Sequence, residues 1–235
     1  MKSGFLLIDK ESDYTSRDVC NIVAKKLQAS KVGHGGTLDP FATGLLLVAV
    51  DSATKTFNFL DTNFKTYEAS LLLGSKTDSG DLTGQIVETA PVPDIDLTNV
   101  QKLFTSLIGE NLQTVPLISA VRVKGRRLYE YAHAGEEVEL PKRIVEIKRL
   151  ELISYKKPTL KFKATVSKGT YLRVLGEEIA EKLGTVGHLV ALRRTHMLNM
   201  DVNKAKKVKQ FTEEDLIDLG DVLGKFMPIM TLAHP

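Results

Sequence analysis

The apolar residues of this chain fall in short blocks. Residues 5–8 and 45–50 are continuous apolar runs, too short for helices and suited to strands buried on both faces. Residues 160–167 alternate instead, with Leu160, Phe162, Ala164 and Val166 on one face and Lys161 and Lys163 on the other. Residues 144–154 alternate in the same way, so both segments read as half-buried strands. Residues 66–73, 84–89, 119–124 and a segment beginning at Leu189 read as further strands. Helical spacing appears at Val19, Ile22, Val23 and Leu27, after Thr15 and Ser16, either of which suits an N-cap. A second helix is expected from Thr98 through Val100, Leu103, Phe104 and Leu107, ending at Gly109. A third runs over residues 126–134 and stops at Gly135. A fourth covers 171–183, and Thr212 caps a last acidic helix over 213–219.

Strands in clusters with helices between them predict an α+β fold on one extensive mixed sheet. No repeat, low-complexity tract or Pro/Gly/Ser-rich linker divides the chain. It therefore reads as one domain over residues 1–211, with 212–235 as a short helical tail. Apolar residues at 43 % and charged residues at 26 % fit a globular protein and exclude disordered, collagen-like and coiled-coil readings. No stretch approaches the roughly 20 apolar residues of a membrane span, and the first ten residues lack a secretory pattern. Cys20 is the only cysteine, which rules out a disulfide framework or a thiolate metal cluster. A cytoplasmic protein without a membrane partner is the expectation.

The net charge of +3 conceals an asymmetry. Residues 1–117 carry a net −4 and residues 118–235 a net +7. Residues 142–173 hold ten basic side chains against two acidic ones, and residues 193–209 six against one. Such clusters suit a polyanion; read as charge alone, they suit a solvated basic face equally well.

Residues 33–44 pack four glycines and a proline into twelve positions around one carboxylate, Asp39. Glycines let a ligand or a second backbone approach closely, and an aspartate there can serve as nucleophile or general base. Read alone, the stretch suits a turn in which Asp39 bonds its own loop better than a catalytic site. Residues 167–173 end a strand and open a helix, placing Tyr171 and Arg173 in the first turn. An arginine there can orient a carboxylate and a tyrosine can stack on a base, but read alone the stretch better suits a surface arginine and a core tyrosine. Tyr67 has the same ambiguity between stacking and packing. Phosphate-loop, dinucleotide, zinc-protease and serine-elbow motifs are all missing from the sequence, so no metal or cofactor is expected.

Together these segments resemble one family. GHGGTLDPFATGLLLV (33–48) resembles the catalytic motif of the TruB family, the bacterial tRNA pseudouridine-55 synthases. KTYEA (65–69), GSKTDSGDLTG (74–84), PLISAVRVKGRRLYEYAHAG (116–135), SKGTYLR (167–173) and LRRT (192–195) follow in the family's order. The resemblance covers most of residues 4–200. It implies the pseudouridine synthase fold, with one large, mostly antiparallel mixed sheet flanked by helices. It implies isomerisation, without cofactor, of a uridine flipped out of the tRNA T-loop, by a monomer. Asp39 aligns with the catalytic aspartate, Tyr67 with the tyrosine that stacks on the base, and Arg173 with the arginine that pairs with that aspartate. Tyr171 and Leu192 align with residues lining the uridine pocket, and His34 with a histidine that helps hold the flipped-out RNA.

Two departures stand out. The family's Lys-Pro-x-Gly-x-[Ser/Thr]-Ser turn reads Lys10-Glu11-Ser12-Asp13-Tyr14-Thr15-Ser16 here, so Asp13 takes the glycine's place. Aspartate tolerates a left-handed backbone better than most residues, and the turn is expected to survive. No full C-terminal RNA-binding domain of the PUA type is expected after residue 211. Two competing readings are an idle tRNA-binding chaperone and a glycosidase-like hydrolase. The second needs a further carboxylate beside Asp39, which these stretches do not supply.

Overall fold

The computed structural model describes residues 3–60, 63–218 and 220–222. Its strands, in chain order, are β1 (Gly4–Lys10), β2 (Val32–His34), β3 (Thr43–Val50), β4 (Phe64–Leu73), β5 (Ser75–Thr77), β6 (Ile86–Thr89), β7 (Gly109–Thr114), β8 (Arg122–Val123), β9 (Arg126–Arg127), β10 (Lys142–Lys156), β11 (Thr159–Ser167), β12 (Gly187–Met197), β13 (Met200–Asp201) and β14 (Lys206–Lys207). The helices are α1 (Ser16–Leu27), α2 (Leu97–Leu107), α3 (Leu128–Ala134) and α4 (Leu172–Lys182). Ten strands belong to one mixed sheet, so the expected α+β class stands. The chain forms two compact units: one up to Tyr67 and again from Leu192 onward, the other from Glu68 to Ala191.

In the first unit, β1 pairs antiparallel with β3, and β3 pairs antiparallel with β2 and parallel with β12. The edge strand β14 runs parallel to β1. Every residue of β1, and all but the first of β3, is buried. Their alternate side chains serve two cores. Phe5, Leu7, Leu45 and Leu47 pack with Met197 and Met200, while Leu6, Ile8, Leu46 and Val48 pack under α1 against Val19, Cys20 and Val23. Cover on both faces is why these strands read as unbroken apolar runs. Thr15 caps α1 in a reciprocal capping box with Asp18. Cys20 is a core residue, and burial pushes its thiol up to about 11.

In the second unit, β10 lies between β11 and β7, antiparallel to both. The buried face of β11 is the predicted one: Leu160, Phe162, Ala164 and Val166. Lys124 and Gly125 both adopt positive φ in the two-residue turn between β8 and β9, as a tight hairpin demands.

Several expectations are corrected. Helix α2 starts at Leu97, one residue before the expected Thr98, and ends at Leu107; the Asp96 carboxylate caps it by accepting from the Thr98 amide at 2.9 Å. Residues 74–84 are not wholly a loop, since Ser75–Thr77 pairs with Ile86–Thr89 as a hairpin. The short strands β2, β7, β13 and β14 lack enough apolar alternation to announce themselves in sequence. The helix expected over 213–219 is a single 3₁₀ turn, Glu213–Asp215; Thr212 stands at its N-cap position, where its amide and hydroxyl donate to the Asp215 carboxylate. Ile217 then exchanges two backbone hydrogen bonds with Phe5 (2.9 and 2.8 Å), so β1 draws this segment into an extended path. Leu219 and most of the tail lie outside the described residues.

Candidate active site

In the first unit, the glycine-rich stretch leaves β2 at His34 and enters β3 at Thr43, with Asp39 between them. Both neighbours of Asp39 are held. The Ser16 hydroxyl, at the first turn of α1, donates to the Leu38 carbonyl (3.2 Å) and accepts from the Leu38 amide (2.9 Å). On the other side, the Pro40 carbonyl accepts from the Lys10 ammonium and from the Asp13 amide, each at 3.0 Å. The Asp39 carbonyl accepts from the Ala42 amide at 3.1 Å, closing the turn. Leu38, Phe41 and Ala42 are buried while Asp39 is half-buried. The result is a carboxylate on a rigid backbone with part of its surface open to a reactant.

The altered turn before α1 is intact. Asp13 has φ +70°, the left-handed conformation a glycine would take. Lys10 is fully buried and donates to the carbonyls of Glu11, Tyr14 and Pro40. Burial lowers its ammonium to about 8, and the negative charges of Asp13 and Asp39 oppose that shift. The lysine ties the turn to the Asp39 loop.

Tyr67 and Leu192 also belong to this unit, and both are buried. Tyr67 shares the buried face of β4 with Lys65. His34 pairs in register with Val48, and its Nδ1 is buried without a hydrogen-bond partner. Burial, joined by the positive charges of Arg17 and Arg194, holds its imidazole below the ordinary value. His34 is therefore neutral at pH 7, able to donate or accept but not to act as a cation.

Tyr171 and Arg173 lie in the second unit. Tyr171 is the N-cap of α4 and makes no capping bond with its own side chain. Gln113 of β7 holds it from outside: the Gln113 side chain accepts from the Tyr171 amide (2.7 Å) and donates to the Tyr171 carbonyl (3.1 Å). Arg143, the cross-strand partner of Gln113, lies 5.5 Å from the Tyr171 ring. Arg173 is buried and donates to the carbonyls of Ser79 (2.6 Å) and Ile118 (3.0 Å). Its Nε stands 3.7 Å from Oδ2 of Asp81. The other oxygen of Asp81 accepts from the Ser79 hydroxyl and from the amide and hydroxyl of Thr83. A loop that looked merely polar in sequence is thus folded around Asp81 and secured by Arg173.

The two basic clusters differ in use. Lys142, Lys156, Lys161 and Lys168 are exposed, as phosphate contacts require. The run 193–209 is largely engaged within the protein. Arg193 and Lys207 both pair with Asp9, Lys206 with Asp215, and Arg194 is fully buried. Sequence reasoning passed over Lys10, Asp81, Gln113 and Arg194 as site residues, because burial of a polar side chain leaves no mark in a linear pattern. Among the described residues, no group of three or more His, Cys, Asp or Glu side chains is placed to hold a metal, and no helix is long and apolar enough to cross a membrane.

The family model described as "TruB family pseudouridylate synthase (N terminal domain)" matches residues 24–172. A tRNA pseudouridine synthase B of Psychrobacter cryohalolentis is 41 % identical over 207 residues, covering 86 % of this chain and 58 % of the relative. That of Bacillus subtilis is 45 % identical over 201 residues, covering 83 % and 65 %. A chain in the crystal structure of a Cbf5-Nop10-Gar1 complex superposes with a TM-score of 0.67 at 26 % identity, covering 94 % of this chain and 56 % of that one. The chain thus spans about three fifths of the length of these three proteins.

Proposed function

Because this chain belongs to the TruB family of pseudouridylate synthases, we propose that it isomerises a uridine to pseudouridine in the T-loop of tRNA, at position 55, with Asp39 as the catalytic carboxylate. In the net reaction the N1–C1′ bond breaks and a C5–C1′ bond forms. C5 loses its proton and N1 gains one, so no oxidant, reductant or metal is needed for balance. The observation that carries this reading is the setting of Asp39: a half-buried carboxylate whose two neighbours are clamped by Ser16 and Lys10. A nucleophile gains rate from such fixed placement.

The remaining roles follow from the family. Tyr67 stacks on the base, Tyr171 and Leu192 line the uridine pocket, and His34 helps hold the extruded nucleotide. Arg173 aligns with the arginine that in the family pairs with the catalytic aspartate. Extrusion costs a few kcal/mol, offset by stacking and hydrogen bonding in the pocket. The exposed lysines of 142–168 meet tRNA phosphates, and the catalytic region is residues 1–211 of a cytoplasmic monomer. A glycosidase needs an acid–base pair of carboxylates, whereas the stretches that hold Asp39 and Arg173 supply one carboxylate and one arginine, and an idle RNA chaperone would not need Asp39, Tyr67 and Arg173 together.

The test is release of tritium from tRNA labelled at uridine C5, which loses its hydrogen only when the base is reattached through that carbon. Wild-type protein is expected to release it, and Asp39→Asn to release none. Release by both would remove Asp39 from its role; release by neither, with tRNA still bound, would favour the idle binding protein.

A further inference from the structure

Arg194 is fully buried, a rare setting for a guanidinium. Its hydrogen-bond acceptors are main-chain carbonyls, and they belong to both arms of the Asp39 loop. Nη2 donates to Gly36 (3.1 Å) and Nη1 to Thr37 (3.4 Å) on the entry arm. Nε donates to Leu45 (2.7 Å), just past the exit. One planar group therefore ties entry to exit, and Asp39 sits in the span between.

The backbone is arranged to permit this. Strand β12 runs parallel to β3 with Arg194 opposite Gly44. A Cβ at Gly44, where φ is +105°, would collide with the Arg194 carbonyl oxygen and lie 2.8 Å from its nitrogen. Gly36 has φ +142°, and a Cβ there would come within 3.7 Å of Arg194 Nη1. Gly44 is thus required because the Arg194 main chain lies so close beside it, and Gly36 because its φ lies in the region that favours glycine, with Arg194 Nη1 at ordinary contact distance. The neighbouring Arg193 points to the opposite face of the strand, as alternation requires, and makes a bidentate pair with Asp9 (2.9 and 3.0 Å). Two adjacent arginines therefore have unlike duties, one pairing with a carboxylate and one bracing a loop.

We propose that Arg194 is a positioning residue for the Asp39 carboxylate, acting as a cross-brace that fixes the distance between the two arms of its loop. This rests on the assignment of Asp39 as the catalytic carboxylate. The duty requires a fork: an ammonium is a point donor on a flexible stem and does not reach both arms at once. Arg194→Lys keeps the charge and loses the geometry.

The experiment compares wild type and Arg194→Lys in three readouts: kcat and KM for tRNA by tritium release, unfolding in urea, and hydrogen exchange of the amides of Thr37, Leu38, Asp39, Phe41 and Ala42. A folded Arg194→Lys is expected to hold KM within about twofold and lose kcat by about tenfold or more, with faster exchange in the loop. If the lysine variant does not fold, Arg194→Gln, neutral and able to donate to a single carbonyl, takes its place with the same expectations. A folded variant with wild-type kcat and wild-type exchange overturns the proposal. So does a fall in affinity with kcat unchanged, and so does failure of both variants to fold, which would make Arg194 a folding residue only. If wild type itself releases no tritium, the functional reading falls, and loop exchange alone decides whether the brace exists.

Discussion

Ser16 holds Leu38 by both of its main-chain polar groups, donating to the carbonyl at 3.2 Å and accepting from the amide at 2.9 Å. The two residues are 22 positions apart, and Leu38 immediately precedes Asp39. The start of α1 thereby sets the backbone on one side of the candidate nucleophile. Ser16→Ala leaves a buried amide and carbonyl unpaired, which costs about 1–3 kcal/mol. The expected outcome is a lower urea midpoint with unchanged slope, together with a reduced kcat. An unchanged midpoint would mean that water replaces the hydroxyl.

Asp13 stands in the left-handed region at φ +70° where the family pattern has glycine. Asp13→Gly is expected to be close to neutral. Asp13→Val forces a β-branched side chain into that conformation and is expected to cost about 1–2 kcal/mol. Thermal unfolding of the two variants checks this; equal melting temperatures would refute the dependence on left-handed backbone.

His34 and Lys10 make stability depend on pH at opposite ends of the range. Both are held below their ordinary values, so for each the native state binds its proton less readily than the unfolded chain. For His34, stability falls as pH drops below the ordinary imidazole value of 6.5. For Lys10, stability rises with pH from about 8 to 10.5. Urea titrations at several pH values are expected to show a shallower acid loss for His34→Gln and no alkaline gain from this group in Lys10→Met. Slopes identical to wild type in both variants would contradict the assignment.

Gln113 recognises Tyr171 through one acceptor and one donor. Gln113→Glu preserves the shape but sets a carboxylate oxygen against the Tyr171 carbonyl. The variant is expected to be destabilised by about 1–3 kcal/mol at neutral pH. The loss should shrink in acid, because a protonated carboxyl donates to that carbonyl again; the introduced group is held above the usual carboxylate range and destabilises as pH rises through it. A penalty that does not vary with pH would mean that the side chain has turned away from Tyr171.

What the sequence determined by itself was the class of the fold, its principal elements and the family. Unbroken apolar runs marked β1 and β3, alternation marked β10 and β11, and the Thr15 cap marked α1. These are local signals, written in side-chain period and cap chemistry. Asp39 was visible because its glycines and proline are contiguous with it. Only the tertiary structure decided what holds that loop. Ser16, Lys10 and Arg194 reach it from positions far apart in the chain, and each was assignable to a bland role, a cap, a turn or a surface charge, until its burial and its carbonyl partners were known. The tail shows the same limit from the other side. An acidic helix was the better local prediction for 213–219, yet pairing of Ile217 with Phe5 prevailed, because a strand edge offers hydrogen bonds that a short isolated helix cannot match.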